Sequence, residues 1–370
     1  MTKNLPKVDR PLLWLVLILL AIGLIMLFSA SSVLSYQRYH NNYYYFIRQF
    51  LFGAIPGLIL MYIFSRIDYH IWQKIAPFLA FIGVAMLVAV LIPGIGFKVG
   101  GARRWINLGS FLFQPAEFVK LAMILYLASF YDKRKQHIAN LYYGFLPTLA
   151  LSGLVTGLII LEPDIGTMLV IASIAAVMFF IGGARMRFII PTAVAAVIVL
   201  VVLVKLAPYR AERFLAYMDA SVDPKGISYQ INQASLAIGS GGIWGLGFGQ
   251  SLQKRNYLPE PIGDSIFAIM AEELGFVRIM LIIGLFLLLA FRGFKVARYS
   301  QDTFGKLVAS GIISWLTLQA LINMGGVTRL IPLTGIPLTF MSYGSTSMVL
   351  SLAAVGILLN ISRYSNFKNV

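Results

Sequence analysis

Long apolar runs separated by short polar segments cover most of the 370-residue chain. Each run is long enough, as a helix, to cross roughly 30 Å of hydrocarbon. The first run follows Lys3, Lys7 and Arg10 and exceeds the roughly 7–15 residues of a signal-peptide core, so we interpret it as a retained helix. We predict an all-α integral membrane protein, a single polytopic domain over residues 1–370 with about ten transmembrane helices. The predicted spans are 12–28, 49–64, 75–92, 113–131, 144–161, 165–183, 188–206, 264–291, 305–325 and 336–361.

The composition strengthens this prediction. Only 12% of the residues are charged and 59% are hydrophobic, whereas a soluble domain carries about 25% charged residues. With no cysteine in the chain, disulfides and thiolate chemistry are excluded. The net charge of +16 fits basic loops that contact anionic membrane lipids. No basic run is interleaved with stacking aromatics, so we expect no nucleic acid partner.

The basic residues also predict an orientation. Lys and Arg are concentrated in the short segments on the side of the N-terminus, which indicates that both termini are cytoplasmic. One connection, 207–263, is far longer than the others and is predicted to be a large extracytoplasmic loop between spans seven and eight. Long loops without regular structure usually carry function. This loop contains an amphipathic stretch, 210–218, that suits the membrane interface.

Acidic residues are scarce, so their positions are informative. Asp264 opens the eighth predicted span, directly after the Pro- and Gly-containing segment 257–263. A carboxylate at a half-buried helix start can act as a general base. Asp is equally a favoured N-cap residue, and the two roles are compatible. Glu272 follows eight residues later, roughly 12 Å deeper on a similar helix face.

Two further groups of charged residues are candidates. Glu117 and Lys120 are spaced i, i+3 near the start of the fourth span, which places them on one helix face. Ionisable residues inside spans are functional candidates, although a structural ion pair is the alternative. Arg103 and Arg104 precede Trp105 on the outer side and suit an anionic headgroup. Ordinary anchoring of Arg and Trp at the membrane boundary explains them about as well.

Other segments predict local structure. Asp164, in the turn 162–167, is interpreted as a cap of the sixth helix. The three histidines are scattered, so no metal cluster is expected, and no phosphate loop or nucleotide fold is visible. Broken backbone at membrane depth is tolerated only where protein or a water-filled cavity satisfies it. Residues that break the helical pattern around the start of the tenth span are Pro332, Gly335, Pro337 and Gly344.

Several motifs, in the same order along the chain, resemble the SEDS family of shape, elongation, division and sporulation proteins. The resemblance covers most of the chain, and the 250–261 stretch is closer to the FtsW branch than to RodA. The motifs that carry it lie at 101–106, 113–121, 162–167, 237–242, 257–260, 264–268, 271–275 and 342–344.

The resemblance implies a glycosyltransferase that polymerises lipid II into peptidoglycan, with ten spans and an undecaprenyl-pyrophosphate leaving group. It implies a class B penicillin-binding protein transpeptidase as partner, in the bacterial cytoplasmic membrane. Asp264 falls on the family's catalytic aspartate, and Glu272, Glu117, Lys120 and Ser342 fall on motif positions considered important there. Arg103, Arg104 and Lys120 are then expected to hold the pyrophosphate. A divalent cation such as Mg²⁺ or Mn²⁺ could assist the leaving group, although no dedicated ligand set is visible.

The chain departs from the family pattern at a few positions. Ala116 stands where Ser is usual, Ser345 replaces a Gly, and Ile262-Gly263 precede Asp264 in place of a polar pair. Arg278 lies inside the eighth span, where an unpaired Arg costs about 3 kcal/mol, so we expect it to face protein, water or headgroups.

Two functions from other classes stay open on the sequence alone. A lipid flippase or transporter would need charged groups along a continuous route through the bilayer. A non-catalytic scaffold would only recruit a transpeptidase, and the intact Asp264 argues against it.

Overall fold

The computed structural model describes residues 8–99, 101–109, 111–206, 217 and 227–365. Most of these residues are helical. Its strands are β1 (Gly96–Val99), β2 (Ala102–Asn107) and β3 (Leu112–Phe113). Its helices are α1 (Arg10–Tyr39), α2 (Tyr44–Arg66), α3 (His70–Leu91), α4 (Pro115–Lys133), α5 (Leu141–Leu161), α6 (Ile165–Ile181), α7 (Met186–Leu206), α8 (Ile227–Ser240), α9 (Ile266–Arg298), α10 (Thr303–Val327) and α11 (Ser345–Tyr364).

The predicted class, a multi-pass helical membrane protein, is confirmed. Every predicted span coincides with a helix, namely α1 to α7 and α9 to α11. Within the described residues, seven helices are long and apolar enough to cross a bilayer: α1, α2, α3, α5, α9, α10 and α11. Helix α6 is shorter, at 17 residues, and α4 carries Glu117 and Lys120 in its first two turns. The count of ten spans therefore stays a prediction.

The all-α prediction needs one correction. Between α3 and α4 the chain forms a three-stranded antiparallel sheet in the order β1-β2-β3. Gly101, with a φ of +86°, supplies the left-handed residue that the tight β1–β2 turn requires. The sheet places the segment 101–107 at one end of the helix bundle.

The long loop and the tenth span also differ from the prediction. The 207–263 segment contains a helix, α8, whose several polar side chains concealed it among the loop residues. The amphipathic stretch 210–218 lies outside the described residues, apart from Tyr217. The helix of the tenth predicted span, α11, begins only at Ser345, because 331–344 is a non-helical segment interrupted by its prolines and glycines.

Hydrogen bonds define the two ends of the bundle. The backbone N–H of Asp9 donates to Ser362 Oγ at 3.0 Å, so the start of α1 and the end of α11 share one end. Tyr69 joins the same end, where its hydroxyl donates to Asp302 at 2.8 Å. We call this end the terminal face. The opposite end carries the sheet and the segments 162–164, 256–264 and 331–344, and we call it the cavity face.

Helix α10 forms the centre of the bundle. It packs against α9, α6 and α4, and its Trp315 side chain is completely buried. Two of its polar side chains, Gln319 and Asn323, are also buried. They donate to the carbonyls of Pro337 and Ile336 at 3.1 and 2.8 Å, which holds the non-helical 331–344 segment against the bundle.

Helix α9 is broken at Gly275, which has φ +77° and ψ +175°. A break inside a membrane helix frees backbone groups that must find partners. Here the N–H groups of Phe276 and Val277 donate to the carbonyls of Gly242 and Ile243 at 2.9 and 3.2 Å. In the other direction, the N–H groups of residues 246 and 247 donate to the carbonyls of residues 272 and 273. The segment 241–247 therefore completes the broken helix.

Arg278 serves the same break. Its Nη1 donates to the carbonyl of Trp244 at 2.7 Å and to that of Leu274 at 3.3 Å. This geometry explains why an arginine is tolerated inside the eighth span, since its guanidinium binds the carbonyl of Leu274 at the break and that of Trp244 in the segment packed against it. The expectation that Arg278 faces protein, water or headgroups is confirmed, because its Nη1 binds two backbone carbonyls of the protein.

Candidate functional site

A cavity of about 750 Å³ opens at the cavity face. Its walls come from the ends of α1 and α2, strand β2, the turn before α6, and the segments 256–264 and 335–347. Three carboxylates and three arginines line it among apolar and aromatic side chains: Asp164, Glu260, Asp264, Arg38, Arg48 and Arg104. A polar cavity of this size, at one end of a membrane bundle, is the candidate functional site.

Asp264 is held in this cavity by its neighbours. Asn323 Nδ2 donates to the backbone carbonyl of Asp264 at 2.8 Å, and Gln230 Nε2 donates to its carboxylate Oδ1 at 3.2 Å. The N-cap position of α9 belongs to Ser265, one residue later. The carboxylate therefore projects into the cavity lining from a backbone that α10 fixes.

Ser342 fixes the approach to Asp264. Its hydroxyl donates to the carbonyl of Gly263 at 2.7 Å and accepts from the N–H of Leu338 at 2.7 Å. The N–H of Tyr343 donates to the carbonyl of Ile262 at 2.8 Å. Ser342 does not line the cavity; it joins the 331–344 segment to the residues directly before Asp264.

Two cavity arginines were missed by the sequence reasoning. Arg38 lies in the last turn of α1 and donates to the Tyr45 hydroxyl at 3.2 Å. Arg48 lies on α2 and donates to the Tyr44 hydroxyl at 2.9 Å. A cluster of tyrosines between two basic residues was the available signal, but such residues are equally typical of ordinary membrane-boundary anchors.

Arg104 binds the turn before α6. Its Nε donates to the carbonyl of Glu162 at 2.9 Å, and its Nη2 donates to that of Pro163. Its Nη1 lies 3.8 Å from the carboxylate of Asp164. Asp164 accepts from the N–H of Thr167 at 3.0 Å and so caps α6, which confirms the predicted cap. Arg104 thus ties the sheet to this turn at the cavity wall.

The carboxyl group of Glu162 is unusual within this turn. It is buried, and neither of its oxygens has a hydrogen-bond partner among the described residues. Burial, with a smaller contribution from the neighbouring Asp164 charge, raises its pKa to about 8 against the opposing effect of Arg104. Glu162 is therefore mostly protonated at neutral pH.

This pKa predicts a dependence of stability on pH. The unfolded chain releases the Glu162 proton near pH 4.5 and the folded chain near pH 8. Between these values the folded state binds more protons, so its stability falls as pH rises. The Gln side chain of a Glu162→Gln variant cannot ionise. Between pH 5 and pH 8 the unfolding temperature of this variant in detergent should therefore fall less than that of the parent. Parallel curves for the two proteins would contradict a protonated Glu162.

Glu117 and Lys120 form an ion pair away from the cavity lining. Lys120 Nζ lies 2.7 Å from Glu117 Oε1 and 2.6 Å from Gln319 Oε1, and it packs 5.0 Å from the centroid of the Trp315 ring. Both charged residues are only 1% exposed. The structure thus has the geometry of the alternative, a structural ion pair within α4, and the bond from Lys120 to Gln319 joins this pair to α10. Through Gln319 this pair is connected to Pro337 in the cavity wall.

The remaining predicted site residues also lie outside the cavity lining. Arg103 pairs in backbone register with Lys98 across β1 and β2. Glu272 is buried, and its carboxylate accepts from the backbone of residues 252 and 253. Of the seven residues predicted for the site, the structure brings Arg104 and Asp264 together in the cavity. The other five are Arg103, Glu117, Lys120, Glu272 and Ser342.

The described residues hold no group of three His, Asp or Glu side chains arranged to bind a metal ion. Asp164, Glu260 and Asp264 all line the cavity, but they are not close enough together to form such a group. These side chains do not fit a resident divalent cation, so we derive no step through one.

The apolar helices, with a cavity of carboxylates and arginines at one end of their bundle, define a multi-pass membrane protein with a polar site at that end. The chain belongs to the FtsW/RodA/SpoVE family, whose model, described as "Cell cycle protein", matches residues 10–367.

Curated relatives match over nearly their whole length. Stage V sporulation protein E of Bacillus subtilis is 43% identical over 99% of this chain and 100% of that protein. A probable peptidoglycan glycosyltransferase FtsW of Trichlorobacter lovleyi is 42% identical over 97% of this chain and 94% of that protein. These relatives confirm the family predicted from the motifs.

Solved structures have the same fold. A chain in the structure "Structural coordination of polymerization and crosslinking by a peptidoglycan synthase complex" superposes with a TM-score of 0.80 at 28% identity, covering 97% of this chain and 99% of that one. The rod shape determining protein RodA of Thermus thermophilus superposes with a TM-score of 0.69 at 27% identity, covering 97% of this chain and 98% of that one. The lower identity to this RodA than to the FtsW relative agrees with the predicted branch.

Proposed function

We propose that this chain is a peptidoglycan glycosyltransferase that polymerises lipid II at the outer face of the bacterial cytoplasmic membrane. One observation carries the proposal: a single cavity at the membrane surface brings the Asp264 carboxylate together with Arg38, Arg48 and Arg104. Family membership supports it, as do the relatives named as probable peptidoglycan glycosyltransferases.

The cavity groups match the chemistry of this reaction. The acceptor sugar hydroxyl attacks the anomeric carbon of the donor glycan, and the bond from that carbon to the pyrophosphate oxygen breaks. Asp264 receives the hydroxyl proton as general base. The arginines offset the negative charge of the undecaprenyl pyrophosphate that leaves, since guanidinium groups bind phosphate oxygens in a bidentate manner.

The arrangement of charges favours an enzyme over a flippase or transporter. A transporter needs ionisable groups along a route through the bundle. In the described part of the chain the best candidates for such a route, Glu117, Lys120 and Glu272, are buried in bonds between elements of the protein. The groups that reach a cavity lie at one end of the bundle.

The direct test is polymerisation of lipid II by the purified protein, with and without a transpeptidase. Glycan polymer is the expected product, and its absence in both reactions would overturn the proposal. Undecaprenyl pyrophosphate should compete with lipid II for binding, because both carry the pyrophosphate that the arginines are proposed to hold. A lack of competition would contradict the proposal that the arginines bind the pyrophosphate of the substrate.

The proposed partner is a class B penicillin-binding protein. The solved peptidoglycan synthase complex, which coordinates polymerization and crosslinking, contains a chain with the same fold. A crosslinking enzyme acts on the polymer that this chain is proposed to make. Membrane lipids surround the exposed apolar side chains of the spanning helices.

We propose that the terminal face is cytoplasmic and the cavity face extracytoplasmic. The bond between Asp9 and Ser362 places the start of α1 and the end of α11 on the terminal face, and the positive-inside bias assigns that face to the cytoplasm. Reporter fusions after Lys135 and near Lys225 should therefore report opposite sides of the membrane. The same side for both fusions would contradict the proposed topology.

A further inference from the structure

Two buried glutamates near the break in α9 hold a turn of the chain. Glu272 accepts hydrogen bonds from the Ser251 hydroxyl and from the N–H groups of Leu252 and Gln253, the latter two at 2.9 and 3.3 Å. Its carboxylate thus binds three donors of one turn. None of these donors belongs to a cavity-lining residue.

Glu273 binds the same turn from the other side. Its carboxylate lies 2.7 Å from Lys254 Nζ and 2.7 Å from the hydroxyl of Ser29 on α1, and it accepts from the N–H of Ser251 at 3.3 Å. Lys254 Nζ also donates to Ser29 Oγ at 2.9 Å. These groups are almost completely buried. A buried ion pair with satisfied partners strongly resists separation, because breaking it leaves an unpaired charge.

The turn leads directly into the wall of the cavity. The N–H of Leu258 donates to the carbonyl of Gln253 at 3.0 Å, and residues 256–264 then line the cavity as far as Asp264. The far end of this wall is fixed by Ser342 and Asn323. The wall is therefore fixed at both ends, and its near end depends on the two glutamates.

We infer that Glu272 and Glu273, with Ser251 and Lys254, are positioning residues that fix the cavity wall and so set the place of Asp264. We call this set the glutamate clamp. The inference rests on the proposed function, and it assigns Glu272 a role through the protein in place of contact with the substrate. Loss of the clamp should lower kcat and leave the affinity for lipid II nearly unchanged, because the arginines are untouched.

A double-mutant cycle in the full-length protein tests the clamp. Glu273→Gln and Lys254→Met should each lower kcat for lipid II about tenfold or more. The double variant should be no slower than Glu273→Gln, because both changes remove one interaction and the double change leaves no unpaired buried charge. Multiplicative losses in kcat, or losses confined to KM, would overturn the inference.

Ser251→Ala provides a milder variant that should fold even if a single charge change does not. It removes one donor to Glu272 and should lower kcat about threefold with parental lipid II binding. Ser129→Ala is the matched control: it removes a buried hydroxyl that donates to the carbonyl of Gln73 at 3.3 Å near the terminal face, and it should retain parental kcat. Parental kcat in Ser251→Ala would overturn the inference.

A spin label separates failure of the clamp from failure of the proposed function. The chain has no cysteine, so Arg255→Cys places a single nitroxide on an exposed residue beside the clamp. Clamp variants should increase the mobility of this label, whereas Asp264→Asn should not. If the parental protein makes no polymer, the proposed function fails while the label still reports on the clamp. If the parent is active but the mobility of the label is unchanged in clamp variants, the clamp alone fails.

Discussion

Asp264→Asn should lower the rate of lipid II polymerisation by roughly 10²–10⁴-fold, the usual contribution of a general base. Asn retains the shape of Asp and can still accept the hydrogen bond that Gln230 Nε2 donates to the Asp264 side chain at 3.2 Å. It cannot take up the proton of the acceptor hydroxyl. Lipid II affinity and thermal stability should therefore change little, since the backbone bond from Asn323 is kept. Polymer formation by the purified variant is the measurement.

Asp9→Asn is the matched control for this experiment. Asp9 accepts from the N–H of Leu12 at 2.8 Å and caps α1 at the terminal face. Asn caps helices about as well as Asp, so this variant should polymerise lipid II at the parental rate. If Asp264→Asn also does so, Asp264 is not the base and the proposed mechanism is wrong.

The apolar pattern predicted the helices because membrane spans need continuous apolar sequence. It could not predict the start of α11, since Leu333, Ile336 and Leu338 are apolar whether the backbone is helical or not. It also missed the break at Gly275, because a single glycine does not interrupt the apolar pattern of the run that contains it. Only the pairing of that break with residues 242–247 reveals it.

A site residue could be predicted where the local sequence around it already indicates that it lies at the end of a helix. Asp264 ends a Pro- and Gly-containing segment, and the structure places it in the cavity. Glu272 is separated from it by two helical turns, but its carboxylate binds the 251–253 turn. Arg38 and Arg48 are close to Asp264 in the fold yet more than 200 residues away in the chain. Helix periodicity gives faces within one helix, and it does not give the packing that brings separate helices together.

Gly275→Ala should prevent α9 from adopting its broken form and should strongly lower the yield of folded protein. The φ of +77° at this position costs a non-glycine residue roughly 1–3 kcal/mol. In addition, an added Cβ would overlap the backbone nitrogen of Gly245 and the carbonyl carbon of Trp244. Backbone atoms cannot move aside as a flexible side chain can. The yield of monodisperse protein in detergent and its unfolding temperature are the measurements.

Gly284→Ala is the control in the same helix, because an added Cβ at Gly284 meets no atom within 4 Å. Ala favours a helix interior over Gly by about 1 kcal/mol, so this variant should unfold at the parental temperature or above. The contrast between the two glycines isolates the break from the general cost of a methyl group. If Gly275→Ala folded with the parental unfolding temperature, α9 would be continuous through this position. The four backbone bonds to residues 242, 243, 246 and 247 would then be wrong, and the glutamate clamp would lose the local structure on which it depends.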